Sequence, residues 1–118
     1  MNTGKLCPAG WHVPSYSDWI MLTNNQTGGN LKESGTIHWL SPNAGVDNLS
    51  GFSGLPGGYR GINADYFNIG TYGAWWSASE YSATNARNFG LTNNSAGYEL
   101  IWQYKYLGMS VRCIQDGL

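Results

Sequence analysis

Residues 34 to about 74 hold no periodic segment long enough for a regular helix or strand, and that stretch constrains the fold more than any other feature of the chain. Gly, Pro, Asn and Ser recur through it. Each favours turns for its own reason: Gly tolerates positive φ, Pro fixes φ, and Asn bonds its side chain to nearby backbone. Leu55-Pro56-Gly57-Gly58-Tyr59-Arg60-Gly61 reads as the clearest corner. About 40 residues without regular structure are uncommon inside a compact domain. They imply long loops that pack on isolated aromatic anchors, such as Trp39, Phe52, Tyr59 and Phe67.

With 118 residues, the chain is one domain's worth of material, spanning 1–118 with a core over about 6–116. Charged residues make up only 11%, six Lys and Arg against seven Asp and Glu, whereas globular chains carry about 25%. Six scattered basic residues give no counterion-release reservoir, which argues against nucleic-acid binding. No apolar run approaches the ~20 residues of a membrane span, so no membrane insertion is expected. Six Trp and eight Tyr supply enough apolar surface to offset chain entropy, which excludes disorder. The polarity resides in Asn, Ser, Thr and Tyr, a palette shared with antibody paratopes.

Ser15 followed by Asp18 predicts a capped helix over 16–25, with Trp19 and Leu22 one turn apart and Tyr16, Ile20 and Met21 widening the apolar stripe. Gly28-Gly29 should end any helix, and residues 30–33 could add one turn. The last third reads as a β meander: strands over 74–80 and 87–91, a turn near 93–97, and strands over 98–107 and 109–114. Alternation puts Tyr98, Leu100, Trp102, Tyr104 and Tyr106 on one face, and Glu99, Ile101, Gln103, Lys105 and Leu107 on the other. Cys7 and Cys113 stand near the two ends. A bridge there would close nearly the whole chain, worth up to about 4.7 kcal/mol by chain-entropy reasoning; two buried free thiols are the alternative. Terminal strands are often neighbours, and low charge with high Asn suggests an extracytoplasmic protein, which favours the bridge. Residues 1–6 lack the apolar run of a secretory leader, so a leader was either removed or never existed.

No catalytic constellation is legible. His12 and His38 read as packed, hydrogen-bonded residues beside Trp11 and Trp39, and no Cys/His spacing suits zinc. The seven carboxylates are dispersed, leaving Asp47-Asn48 and Asn63-Ala64-Asp65 as the places where a calcium loop could form. No cofactor or metal is called for. Arg60, Arg112 and Glu80 read as structural, tying loop carbonyls or a carboxylate together. The aromatic face of 98–106 is too large a share of so small a domain to be core throughout. With the preceding strand it defines a ligand surface of Tyr81, Asn85, Arg87, Phe89, Leu91, Tyr98, Leu100, Trp102 and Tyr104, suited to a protein or glycan.

Four blocks carry a family resemblance: Cys7-Pro8-Ala9-Gly10-Trp11-His12-Val13-Pro14-Ser15, Gly51-Phe52-Ser53-Gly54-Leu55-Pro56-Gly57-Gly58-Tyr59-Arg60, Trp75-Trp76-Ser77-Ala78-Ser79-Glu80 and Ser110-Val111-Arg112-Cys113. In this order they resemble the Fibrobacter succinogenes major paralogous domain, a family abundant in Bacteroidetes surface proteins. The resemblance implies an α+β, C-type-lectin-like fold: small twisted antiparallel sheets, one or two short helices, long packed loops, and termini pairing as neighbouring strands. It implies an extracytoplasmic module, at a bacterial cell surface or secreted, with a phage virion as the alternative setting. The same fold carries the variable proteins of diversity-generating retroelements, in which a segment after a Trp-rich strand is randomised. Residues 81–107 occupy the corresponding place. The related formylglycine-generating enzymes need two nearby reactive cysteines towards the C-terminus, where this chain has one. The calcium-lectin triplets Glu-Pro-Asn, Gln-Pro-Asp and Trp-Asn-Asp do not occur in it.

Overall fold

The computed structural model describes residues 6–24, 26–48 and 52–116. Residue 25, the predicted end of the first helix, and Gly51, which opens the second motif block, lie outside the described residues. Among the described residues the fold is α+β, with two short helices and seven strands in three small antiparallel sheets. The element order is β1 (Trp11–His12), α1 (Tyr16–Thr23), α2 (Gly28–Leu31), β2 (Tyr59–Arg60), β3 (Tyr66–Phe67), β4 (Tyr72–Glu80), β5 (Asn85–Thr92), β6 (Glu99–Tyr104) and β7 (Ile114–Gln115).

Helix α1 begins as the sequence predicts. The Ser15 hydroxyl accepts from the Asp18 N–H and the Asp18 carboxylate accepts from the Ser15 N–H, satisfying two otherwise orphaned donors. Thr23 then donates its hydroxyl to the Trp19 and Ile20 carbonyls, each at 3.0 Å, and the helix stops. Its buried stripe is narrower than predicted. Trp19 is buried and Leu22 packs beside it, but Ile20 and Met21 face solvent because so short a helix touches the sheet along one line.

The glycine pair reverses its predicted role. Gly28 and Gly29 open α2 rather than ending a helix, capped by Thr27 and Asn30. A Cβ on Gly28 would lie 1.8 Å from the Gly97 carbonyl oxygen, and one on Gly29 would lie 2.0 Å from that of Gly45. These glycines let two backbones approach; helix propensity is secondary. One residue beyond α2, Lys32 is fully buried. Its ammonium donates to the carbonyls of Ala44 (2.8 Å), Thr92 (3.0 Å) and Ser95 (3.0 Å), and lies 5.5 Å from the Trp39 ring centroid. Burial pushes its pKa below the usual lysine value.

The described residues of the middle stretch pack as loops, with the β2–β3 pair as regular structure before β4 begins at Tyr72. Trp39 is buried and donates its indole N–H to the Gly54 carbonyl at 2.8 Å, so one side chain anchors two loops. Phe52 meets Trp19 and Trp75 edge-on, and Tyr59 stacks on Phe67 at 5.4 Å. Arg112 lies 4.2 Å above the Phe52 ring and donates to the Phe52 carbonyl. Arg60 joins Gly108 through paired backbone hydrogen bonds.

Strands β4, β5 and β6 form the meander, with Trp75, Phe89 and Leu100 in register across it. Trp19, Trp75, Phe89, Leu91, Leu31 and Trp39 make the core, and Trp19 stacks on Phe89 at 4.6 Å and 7°. Trp76 is buried as well, but Trp11, a candidate for the core, is 46% exposed on the two-residue strand β1. The predicted strand over 109–114 is only partly formed. Ser110 makes a single parallel bridge to Trp75, and pairing resumes at β7, which lies antiparallel to β1.

The termini meet through three contacts. β1 pairs with β7, and Cys7 is bridged to Cys113 with a Cα–Cα distance of 5.9 Å. His12 lies between two carboxylates, with Asp18 2.9 Å from Nε2 and Asp116 2.7 Å from Nδ1. Hydrogen bonds to Asp18 and then Asp116 raise its pKa above the ordinary 6.5. Burial pushes the Asp18 carboxyl up, but bonds from Ser15 and His12 outweigh it and leave it below 3.8.

Two outcomes are expected. Replacing both cysteines, Cys7→Ser with Cys113→Ser, should lower unfolding free energy in urea by about 2–5 kcal/mol; unchanged stability would mean that the β1–β7 pairing and the His12 clasp suffice. The clasp contributes fully below the unfolded histidine value and fades as pH rises through the raised one. The Asp18 contribution is present above the ordinary carboxyl value and fades as pH falls through the lowered one. The unfolding temperature should therefore drop between about pH 6 and pH 9 more steeply in the parent than in His12→Gln; parallel profiles would refute this.

Candidate ligand-binding surface

Register assigns each side chain of β4–β6 to one of two faces, because successive residues of a strand point to opposite sides. Trp75, Phe89, Leu91 and Leu100 share the face covered by α1. Farther along the same face Arg87 is the cross-strand partner of Trp102, and here the sheet runs past the core.

The side chains that leave the core stack on one another. The Arg87 guanidinium lies between two rings, 4.6 Å from the Tyr16 centroid and 4.8 Å from that of Tyr81. Tyr81 in turn stacks on Trp102 at 4.4 Å and 15°. One continuous ridge, Tyr16–Arg87–Tyr81–Trp102, thus joins the start of α1, β5, the β4–β5 turn and β6. Tyr81 is 48% and Trp102 45% exposed. Among the described residues Arg87 has no carboxylate partner. Its guanidinium sits among flat rings.

Local chemistry positions the ridge. The β4–β5 turn closes through the Tyr81 and Ser82 N–H groups, which donate to the Asn85 carbonyl at 2.9 and 3.1 Å. The Asn85 side chain accepts from the Thr84 hydroxyl at 2.6 Å. Lys105 braces the flank, donating to Glu80 at 2.7 Å and holding that carboxyl below its usual range. Tyr16 arrives because its own N–H donates to the Ser79 hydroxyl at 2.9 Å, tying the helix start to β4.

The predicted site residues separate into groups. Tyr81, Arg87 and Trp102 come together as the ridge. Tyr98, on the same face, is part-exposed with its ring 5.9 Å from Phe89. Phe89 and Leu91 are fully buried and are core, not ligand contacts, because β5 is the central strand and α1 covers them. Leu100 packs against that core, and Asn85 is committed to shaping the turn. Tyr104 leaves the ridge and stacks on Tyr106 at 5.1 Å. Tyr16 joins the ridge unforeseen. Its sequence signal was a helical stripe, and nothing local connects it to a residue 71 positions away.

His12 contacts its two aspartates through opposite ring nitrogens, so they do not converge on one point. His38 contacts Glu33 at 2.7 Å on the surface. Among the described residues no group of three His, Cys, Asp or Glu side chains is placed to hold a metal ion. Asp47, considered for a calcium loop, accepts from the Asn30 amide at 2.8 and 3.0 Å. No helix among the described residues is long and apolar enough to cross a membrane.

Core and ridge predict opposite responses to truncation. Phe89→Ala should cost about 3–5 kcal/mol of stability, since a fully enclosed ring leaves a cavity. Trp102→Ala should cost only about 0.5–1.5 kcal/mol, the worth of one half-exposed aromatic pair. Urea unfolding of both variants measures the contrast; equal losses would place Trp102 in the core.

No curated protein and no solved structure matches this chain. The family profile described as the Fibrobacter succinogenes major domain matches residues 1–115, including all four motif blocks. The chain therefore belongs to the Fibrobacter succinogenes major domain family.

Proposed function

We propose that this domain is a non-enzymatic recognition module of C-type-lectin-like fold, working outside the cytoplasm at a cell surface or on a secreted or virion particle. The observation that carries the reading is the solvent-facing stack of Tyr16, Arg87, Tyr81 and Trp102. Rigid aromatic rings offer contact area at low entropic cost, and an arginine without a carboxylate partner supplies charge and donors at the centre. A protein or glycan ligand suits this mixture. The disulfide and the low charge favour an oxidising compartment. Residues 81–107, which supply most of the ridge, stand where retroelement-diversified relatives of this fold would vary.

The test is a screen of the purified domain on arrays of neutral and acidic oligosaccharides and of purified extracellular protein domains. Binding should fall at least about tenfold in Trp102→Ala and in Arg87→Ala, as expected for central contact residues, while the unfolding midpoint moves little. Binding unchanged in both variants would remove the ridge from recognition. A silent screen would favour a purely structural module of a surface protein.

A further inference from the structure

The face of the sheet opposite the core holds a second feature. Glu99, Ile101 and Gln103 point there from β6, alternating with Leu100 and Trp102, and a cleft of about 370 Å³ opens over them. Tyr72 contributes to its floor from β4. The Tyr72 ring lies across Gly90, where a Cβ would come within 2.6 Å of the phenol oxygen, so the glycine makes room for it. Tyr59 meets Tyr72 edge-on from the β2–β3 side, and the Tyr104–Tyr106 stack closes the opposite wall.

We infer that this cleft is a binding site for a neutral saccharide of one or two rings, separate from the ridge. The lining is amphipathic in the way a sugar is. Four tyrosine rings offer faces to C–H groups, while Glu99, Gln103 and Asn68 supply acceptors and amide donors to hydroxyls. Along β6 these groups run polar, apolar, polar at a repeat of about 6.6 Å, so Glu99 to Gln103 spans about 13 Å. Burial foremost, with the nearby Glu99, pushes the Tyr72 phenol up to about 12, so near neutrality its hydroxyl both donates and accepts.

Other ligand classes fit less well. The described lining contains no Lys, Arg or His, and an anion would face Glu99 without a counter-charge. A divalent cation needs more than one carboxylate. An ammonium group could use the rings and Glu99, but it would leave both amides idle and much of the volume empty. A polar side chain also lies beneath the lining. Asn88 is fully buried on the same face, directly across from Ile101. Its side chain acts on the Tyr72 phenol, yet neither amide atom closes a hydrogen bond of good geometry.

The experiment follows the methyl signals of Ile101 and of Leu107 and Met109, which also line the cleft, by NMR while the domain is titrated with cellobiose, maltose, lactose and N,N′-diacetylchitobiose, and separately with choline and glucuronate. At least one disaccharide should move these methyls saturably, with a dissociation constant in the millimolar range, about −4 kcal/mol. Gln103→Ala should weaken that response about tenfold, the loss of one good hydrogen bond, and its unliganded spectrum reports that the fold is kept. Trp102→Ala should leave the response intact, which separates this cleft from the ridge. The inference is overturned if no disaccharide moves the methyls, or if only choline or glucuronate does. It is likewise overturned if Gln103→Ala binds as the parent does, or if Trp102→Ala abolishes the response.

Discussion

A buried ammonium holds the loops of this domain in place. Long loops bring many backbone carbonyls inside, where each needs a donor. Lys32 supplies three N–H groups at once, to Ala44 in the middle stretch, Thr92 at the end of β5 and Ser95 in the turn before β6. No carboxylate pairs with it among the described residues. Its charge is solvated by backbone dipoles and by the face of Trp39. A charge removed from water is costly unless fully coordinated. Its three acceptors are therefore fixed together, and with them the turn that sets where β6 starts. Gly28 and Gly29 complete the junction by letting α2 lie against the backbone at Gly97 and Gly45.

From that starting point the pleat of β6 distributes function between two sides. Its even-numbered residues run from Leu100 against the core to Trp102 on the ridge, and its odd-numbered Glu99, Ile101 and Gln103 line the cleft. The change from core to surface happens within one strand because α1, only eight residues long, covers Phe89 through Trp19 but begins only at Tyr16. Arg87 fills the exit, sandwiched where a hydrophobic side chain would have no cover. A short helix thus decides which aromatic residues are core and which are available to a partner.

Much of this was legible from local patterns. The capping box of α1, the meander, the loop anchors Trp39 and Phe52, and the alternation of residues 98–104 all depend on neighbours within a few residues. Other features were misread for one shared reason. Gly28-Gly29 looked like a helix stop, Ile20 and Met21 like core, and Phe89 and Leu91 like ligand contacts. Each depends on what approaches from elsewhere in the chain: the Gly97 and Gly45 carbonyls, the edge of a short helix, and the central place of β5 under α1. Propensity and periodicity report the preferences of a residue and do not report what covers it.

By itself the sequence determined a loop-rich α+β domain, its family, the alternation of β6 over Glu99–Gln103, a low and nearly balanced charge, and the absence of an apolar run long enough to cross a membrane as a helix. These follow from turn chemistry, a period of two, motif order and charge, all properties of the chain as written. Only the tertiary structure decided that Tyr16 stacks on Arg87, that Tyr104 turns to Tyr106, and that a cleft opens over Ile101. It also decided that the two cysteines are joined. Apart from the Tyr104–Tyr106 stack, which forms where the chain turns after β6, those outcomes are contacts between residues far apart in the chain, and their geometry exists only once the loops have been closed around Lys32.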